Sequence, residues 1–273
     1  MLSRELVMVQ RAARRGFTLI ELLVVVAIIA LLIAILLPSL GKARQLAKTS
    51  KCLTNTRSLA MSVQMYAADW KRVFPFVNAP PEAQWTKLLR AAGPGGYGAI
   101  DKARICPEAP EPNQVGAQPW FGTSRFAWGG STETGPDPIT GKELSAGYGM
   151  NGFVYANSAD MSSIGGLAGE NFSIPNVKSE SEIPVFLDLT WRHFTPHLTD
   201  GNGPNNSLDD PGTHNFATSL PMSYSLINRH NKAINVAFLD GHGATTKLQD
   251  LWSFKWSQTW VPRSTPPFTL PSK

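Results

Sequence analysis

The 273-residue chain predicts an α+β fold, in which one long N-terminal helix, transmembrane first and amphipathic after, packs on a small antiparallel β-sheet head with long loops. Two observations lead there. Sixteen apolar residues, Leu22 to Leu37, pass into a stretch with apolar residues at helical spacing, and short strand-like runs are confined to the second half, two of them joined by Asp240-Gly241.

The helix comes first. Phe17 to Leu37 is 21 residues, enough at ~1.5 Å per residue to cross a ~30 Å hydrocarbon core. Glu21 stands at its entrance, where an ionisable group costs roughly 2.5–3.5 kcal/mol on insertion scales. A cationic amine nearby lets such a carboxylate stay charged; otherwise it snorkels to the headgroups as part of a plain anchor. Pro38 is expected to bend the helix and not to stop it, because the helical pattern resumes. Cys52, Thr56, Leu59, Val63 and Tyr66 follow at spacings of 4, 3, 4 and 3, with Leu46, Leu53, Ala60 and Ala67 beside them at sevens. Lys48, Lys51, Asn55, Arg57, Ser58 and Gln64 take the other positions, and the helix is predicted to end near Asp69-Trp70. Residues 38–70 thus continue residues 17–37 as one spine.

Residues 71–260 form the predicted head. Its first part, 71–145, is rich in Pro and Gly, with a short amphipathic helix over Gln84 to Ala92 that Gly93 would cap. Gly93 to Gly98 precedes no helix and reads as a loop, not a phosphate cradle; Trp120 to Trp128 and residues 135–138 also read as loops. Strands are predicted over Tyr148 to Tyr155, Ile183 to Leu189, Ala233 to Leu239 and Ala244 to Leu248. The last two should form a hairpin, since glycine tolerates the positive φ of a tight turn. A helical piece, Leu248 to Trp256, precedes a Pro-rich tail, 261–273, expected to be mobile.

Candidate chemistry is sparse. His230, Asp240 and His242 offer imidazole and carboxylate that suit a divalent ion, but one carboxylate and two imidazoles are few; a turn aspartate and a backbone-bonded histidine are the simpler reading. Asp200 to Asp210 is an acidic, Asn-rich loop that calcium can order, without the EF-hand spacing; His193, His197 and His214 flank it as solvated loop residues. No G-x-S-x-G, CxxC, HExxH or Walker pattern occurs, so no enzyme and no cofactor is expected.

Gly16-Phe17-Thr18-Leu19-Ile20-Glu21, followed by the apolar helix, resembles the processing signal of type IV prepilins and type II secretion pseudopilins. The resemblance implies that a membrane-bound prepilin peptidase cuts after Gly16, removing a basic leader, 1–16, and methylates Phe17. Glu21 would then be the fifth residue of the mature chain and would pair with the N-terminal amine of a neighbouring subunit. Arg14-Arg15-x-Phe17 also resembles a twin-arginine signal, but both that and an ordinary secretory signal need a small-residue cleavage site after the apolar run, and residues 38–50 contain no A-x-A. His230, nine residues, then Asp240-Gly241 is similar to the C-terminal element of a pseudopilin-like family abundant in planctomycetes. Cys52 to Leu59 with Tyr66 and Asp69, Cys106-Pro107, Tyr148 to Asn151 and Phe186-Leu187-Asp188 resemble the same family.

The resemblance implies a pilin-like single-pass protein of the inner membrane with its head in the periplasm or at the cell surface. Its partners would be the peptidase, other pilin or pseudopilin subunits and inner-membrane lipid. A membrane-anchored binding or metal-dependent catalytic head that forms no filament is the alternative. Leader removal takes four arginines and one glutamate, leaving 21 basic and 19 acidic side chains, so the net charge of +5 falls to +2 and a nucleic-acid binder is not expected. An exported head permits disulfides. Bridging Cys52 and Cys106 would contribute about 4 kcal/mol by loop closure, the other reading being two separate buried thiols.

Overall fold

The computed structural model describes residues 18–71, 85–91, 100–110, 122, 124–129, 145–155, 170–172, 177–197 and 221–267. The chain divides into two compact units, Met1–Gln45 and Leu46–Lys273. Helix α1, Leu19–Trp70, has 52 residues with Pro38 inside it. In the first unit every described residue is exposed, and among the described residues α1 is the helix long and apolar enough to cross a membrane. Such a surface is stable only in lipid or against other apolar helices.

In the second unit α1 buries one face. All five residues of the predicted stripe, Cys52, Thr56, Leu59, Val63 and Tyr66, are buried. Asn55, expected on a polar face, is buried too, because its Nδ2 donates to Ile105 O at 2.9 Å and Tyr148 Oη at 3.4 Å. The helix stops at Trp70 as predicted, where Lys71 takes a left-handed φ of 52°. Helix α2, Trp85–Ala91, falls within the predicted stretch, and α3, Ile100–Ala103, was not anticipated. Gly93 to Gly98, residues 135–138, the calcium-type loop 200–210 and His214 lie outside the described residues.

Five strands make the main sheet: β3 (Tyr148–Asn151), β4 (Pro184–Asp188), β5 (His193–Phe194), β6 (Ala233–Phe238) and β7 (Gly243–Lys247). Their order is β5-β3-β4-β6-β7. Beside it, β1 (Trp128–Gly129) pairs antiparallel with β2 (Ser145–Ala146), where only loop was expected around Trp128. The β6–β7 hairpin forms as predicted, with Gly241 at φ +87° in its turn. The expected strand from Tyr148 is cut to four residues: Asn151 Oδ1 accepts from Phe153 N at 3.1 Å and caps a 3-10 turn, Gly152–Val154. Another 3-10 stretch, Leu248–Ser253, stands in for the predicted helical piece.

The sheet is not wholly antiparallel. After β4 the chain reverses over Leu189–Arg192 and lands on the far edge of β3, so β5 runs parallel to β3, with Met150 opposite His193. The core over this sheet is aromatic. Trp85 of α2 meets Phe186 of β4 edge-on at 4.8 Å, and Trp256 meets Phe194 likewise at 5.1 Å. Of the tail, residues 261–267 are described; they carry no regular element, although Arg263 N donates to Trp252 O at 2.8 Å.

Candidate functional site

At the start of α1, Thr18 and Glu21 form a reciprocal capping box. Glu21 Oε2 accepts from Thr18 N at 2.9 Å and from Thr18 Oγ1 at 2.8 Å, while Thr18 Oγ1 faces Glu21 N at 3.3 Å. One carboxylate oxygen thus serves both the N–H and the hydroxyl of Thr18. Gly16 and Phe17 lie outside the described residues.

A second constellation lies inside the head. Asp188, the last residue of β4, is fully buried between two cations. Its Oδ1 lies 3.2 Å from Arg229 Nη1, and its Oδ2 lies 3.2 Å from His230 Nε2 and accepts from Asn235 N at 2.7 Å. Arg229 also donates to the carbonyl of Gly147. His230 Nδ1 meets Thr49 Oγ1 of α1 at 3.1 Å. Against this group stand Cys52 of α1 and Cys106, both buried, with their sulfurs 2.6 Å apart.

Charge explains the protonation states. Burial alone would raise the Asp188 carboxyl, but His230 and Arg229 beside it and the Asn235 N–H hold it below the usual carboxylate range. For His230, burial opposes the charged form, and Asp188 more than compensates, raising the imidazole to about 9. In the reduced thiol pair, burial raises both groups. The Cys52 thiol then stays protonated and donates to Cys106, whose loss of the pair's single ready proton is brought down to about 6.

The sign of the pH dependence follows. The folded pKa of His230 lies above its unfolded value near 6.5, so its contribution is complete below about 6.5 and is lost as pH rises through 9. Asp188 is lowered, so its contribution is present above about 4 and is lost as pH falls through its folded value. We expect His230 to contribute up to about 3 kcal/mol of lost unfolding free energy between pH 6 and pH 9.5, opposed in the reduced chain by the lowered Cys106 thiol, and read as the difference in urea denaturation between the full chain in detergent and its His230→Gln variant. His230→Gln should flatten that alkaline slope; an unchanged slope would show that His230 is not its source.

The three weak metal candidates are not brought together. His230 precedes β6, whereas Asp240 and His242 follow it in the exposed hairpin turn, so the length of a six-residue strand separates them. Asp240 Oδ1 accepts from His242 N at 3.0 Å and lies 2.6 Å from His242 Nδ1, and the His242 ring stacks on Phe238 at 4.2 Å. Asp240 is thus a turn residue. Among the described residues, the ligand atoms that cluster are those of Cys52, Cys106 and His230, within 4.8 Å of one another. Two sulfurs on one tetrahedral zinc would lie roughly 3.8 Å apart, given bonds of about 2.3 Å, so a pair at 2.6 Å leaves an ion no room between them. His193 and His197, expected in solvent, are instead tied into the head: His193 is buried in β5, which lowers it to about 3, and His197 lies 3.6 Å from Glu170.

Sequence reasoning missed Thr49, Arg229 and Asn235 and met Asp188 only within a matched tripeptide. Their one local signal is placement: Asp188 closes an apolar strand, and Arg229-His230 opens another.

A family model described as the prokaryotic N-terminal methylation motif matches residues 11–37. The chain carries a prepilin-type N-terminus. The chain is 41% identical over 64 residues to the type IV major pilin protein PilA of Myxococcus xanthus (strain DK1622), covering 23% of this chain and 29% of PilA. It is 31% identical over 97 residues to the type II secretion system core protein G of Pectobacterium carotovorum subsp. carotovorum, covering 36% of this chain and 62% of that one. The chain therefore spans less than two thirds of either relative. Both are named as a pilin and a secretion-system core protein, not as enzymes. No solved structure gives a significant match.

Proposed function

We propose that the chain is a pseudopilin-like structural subunit, cut between Gly16 and Phe17 by a prepilin peptidase, methylated on Phe17 and assembled through α1 into a type II secretion or type IV pilus-like filament. Its head lies outside the inner membrane. The observation that carries this reading is a carboxylate, Glu21, in the first turn of a helix whose apolar residues up to Gln45 are all exposed, within a matched methylation motif. Subunits that bundle such helices bury the apolar surface, and one charge pair sets their register.

The capping box is compatible with that pairing. Glu21 uses Oε2 for its own helix, and a carboxylate has about four acceptor sites, so Oε1 can receive the amine of a neighbour's Phe17. The amine exists only after cleavage, which couples assembly to processing.

Mass spectrometry of the N-terminus should find methylated Phe17; a chain starting at Met1, or beyond Pro38, would refute the processing step. Glu21→Ala should be cut normally yet assemble at least about 30-fold less, since removing one partner of a buried charge pair costs 2 kcal/mol or more. Filament yield at the wild-type level would remove Glu21 from assembly.

A further inference from the structure

We propose that Cys52 and Cys106 are oxidised to a disulfide that clasps the spine helix to the head. The proposal rests on the reading above only in placing the head in an oxidising compartment. Its geometry is independent of that reading. Cys52 projects from α1 and Cys106 from the segment before β1, 54 residues later, yet their sulfurs touch in a core where neither is exposed. Next to them, His230 Nδ1 meets Thr49 Oγ1, and its Nε2 lies 3.2 Å from Asp188 Oδ2 as an ion pair.

The His230…Asp240-Gly241 element is then two devices joined by one strand. Asp240-Gly241 makes the β6–β7 turn, and His230, at the other end of β6, lies beside the cysteine pair. The titratable and charged groups that face His230 and the sulfurs are Asp188 from β4, Arg229 from its own loop, Tyr148 from β3 and the two thiols.

The chemistry balances with a thiol oxidant of the disulfide class. Having lost its proton to solvent, the Cys106 thiolate attacks one sulfur of the oxidant, forming a mixed disulfide and expelling one thiolate. Cys52, on losing its proton, attacks the Cys106 sulfur and expels the second. Two protons leave the protein, and two electrons reduce the oxidant to two thiols.

The test uses the full chain, extracted in detergent with thiols blocked at lysis. Mass spectrometry without reduction should find the peptides of Cys52 and Cys106 linked. Two alkylated cysteines, or a stoichiometric metal released with two free thiols, would overturn the disulfide. The same spectra report the N-terminus, so a chain cut at Phe17 with free thiols refutes the clasp alone, and a linked chain starting at Met1 refutes the processing alone.

Discussion

Asp188→Ala is expected to destabilise the head by about 3–5 kcal/mol, read as a fall in the urea midpoint of tryptophan fluorescence for the full chain in detergent. The carboxylate is fully buried, and its removal leaves the guanidinium of Arg229 and the imidazolium of His230 without their counter-ion in a medium that cannot solvate them. It also strands the N–H of Asn235, whose acceptor is Asp188 Oδ2. Asp240→Ala is the matched control. That carboxylate faces His242 at the surface, so its loss should cost well under 1 kcal/mol. Comparable losses from both changes would refute the division between a buried, structural carboxylate and a turn residue.

Gly149→Ala should cost about 3 kcal/mol or more, by the same measurement. Gly149 lies in β3, where a methyl group would run into the carbonyl oxygen of Trp191 and into Leu189 Cδ1 and Cβ. The backbone there cannot yield freely, because Met150 N donates to Arg192 O at 3.0 Å in the parallel β3–β5 pairing. Overpacking at such a point forces either a broken ladder bond or an off-rotamer leucine. Gly41 gives the opposite case. Nothing lies within 4 Å of its would-be Cβ in α1, so Gly41→Ala should leave the head unchanged and favour the helix by roughly 1 kcal/mol. Equal effects at the two glycines would mean that crowding at β3 is not what demands Gly149.

The elements read correctly from sequence share one property: their signal is local. The buried stripe of α1 repeats every three or four residues, and the β6–β7 hairpin turns on two adjacent residues, so neither needs knowledge of a distant partner. Beyond the first turn of Tyr148 to Tyr155, by contrast, the backbone follows the Asn151 side chain, which also donates to Pro184 O and Trp256 O from remote parts of the chain. The parallel placement of β5 was equally invisible, since two residues carry too little pattern to name their neighbour.

By itself, the sequence determined the membrane-length helix, the carboxylate at its entrance and the amphipathic continuation, because helical periodicity and an ionisable residue beside an apolar run are statements about near neighbours. Only the tertiary structure decided that His230 belongs with Asp188, Thr49 and the cysteines instead of with Asp240 and His242. Asp188 and Arg229 are 41 residues apart and Thr49 and His230 are 181 apart, and no local rule ranks such pairings. What ranks them is the cost of burying charge: once β4 and β6 pair and α1 covers the sheet, Asp188 is sealed from water, and the cations that can neutralise it there are those that the fold delivers.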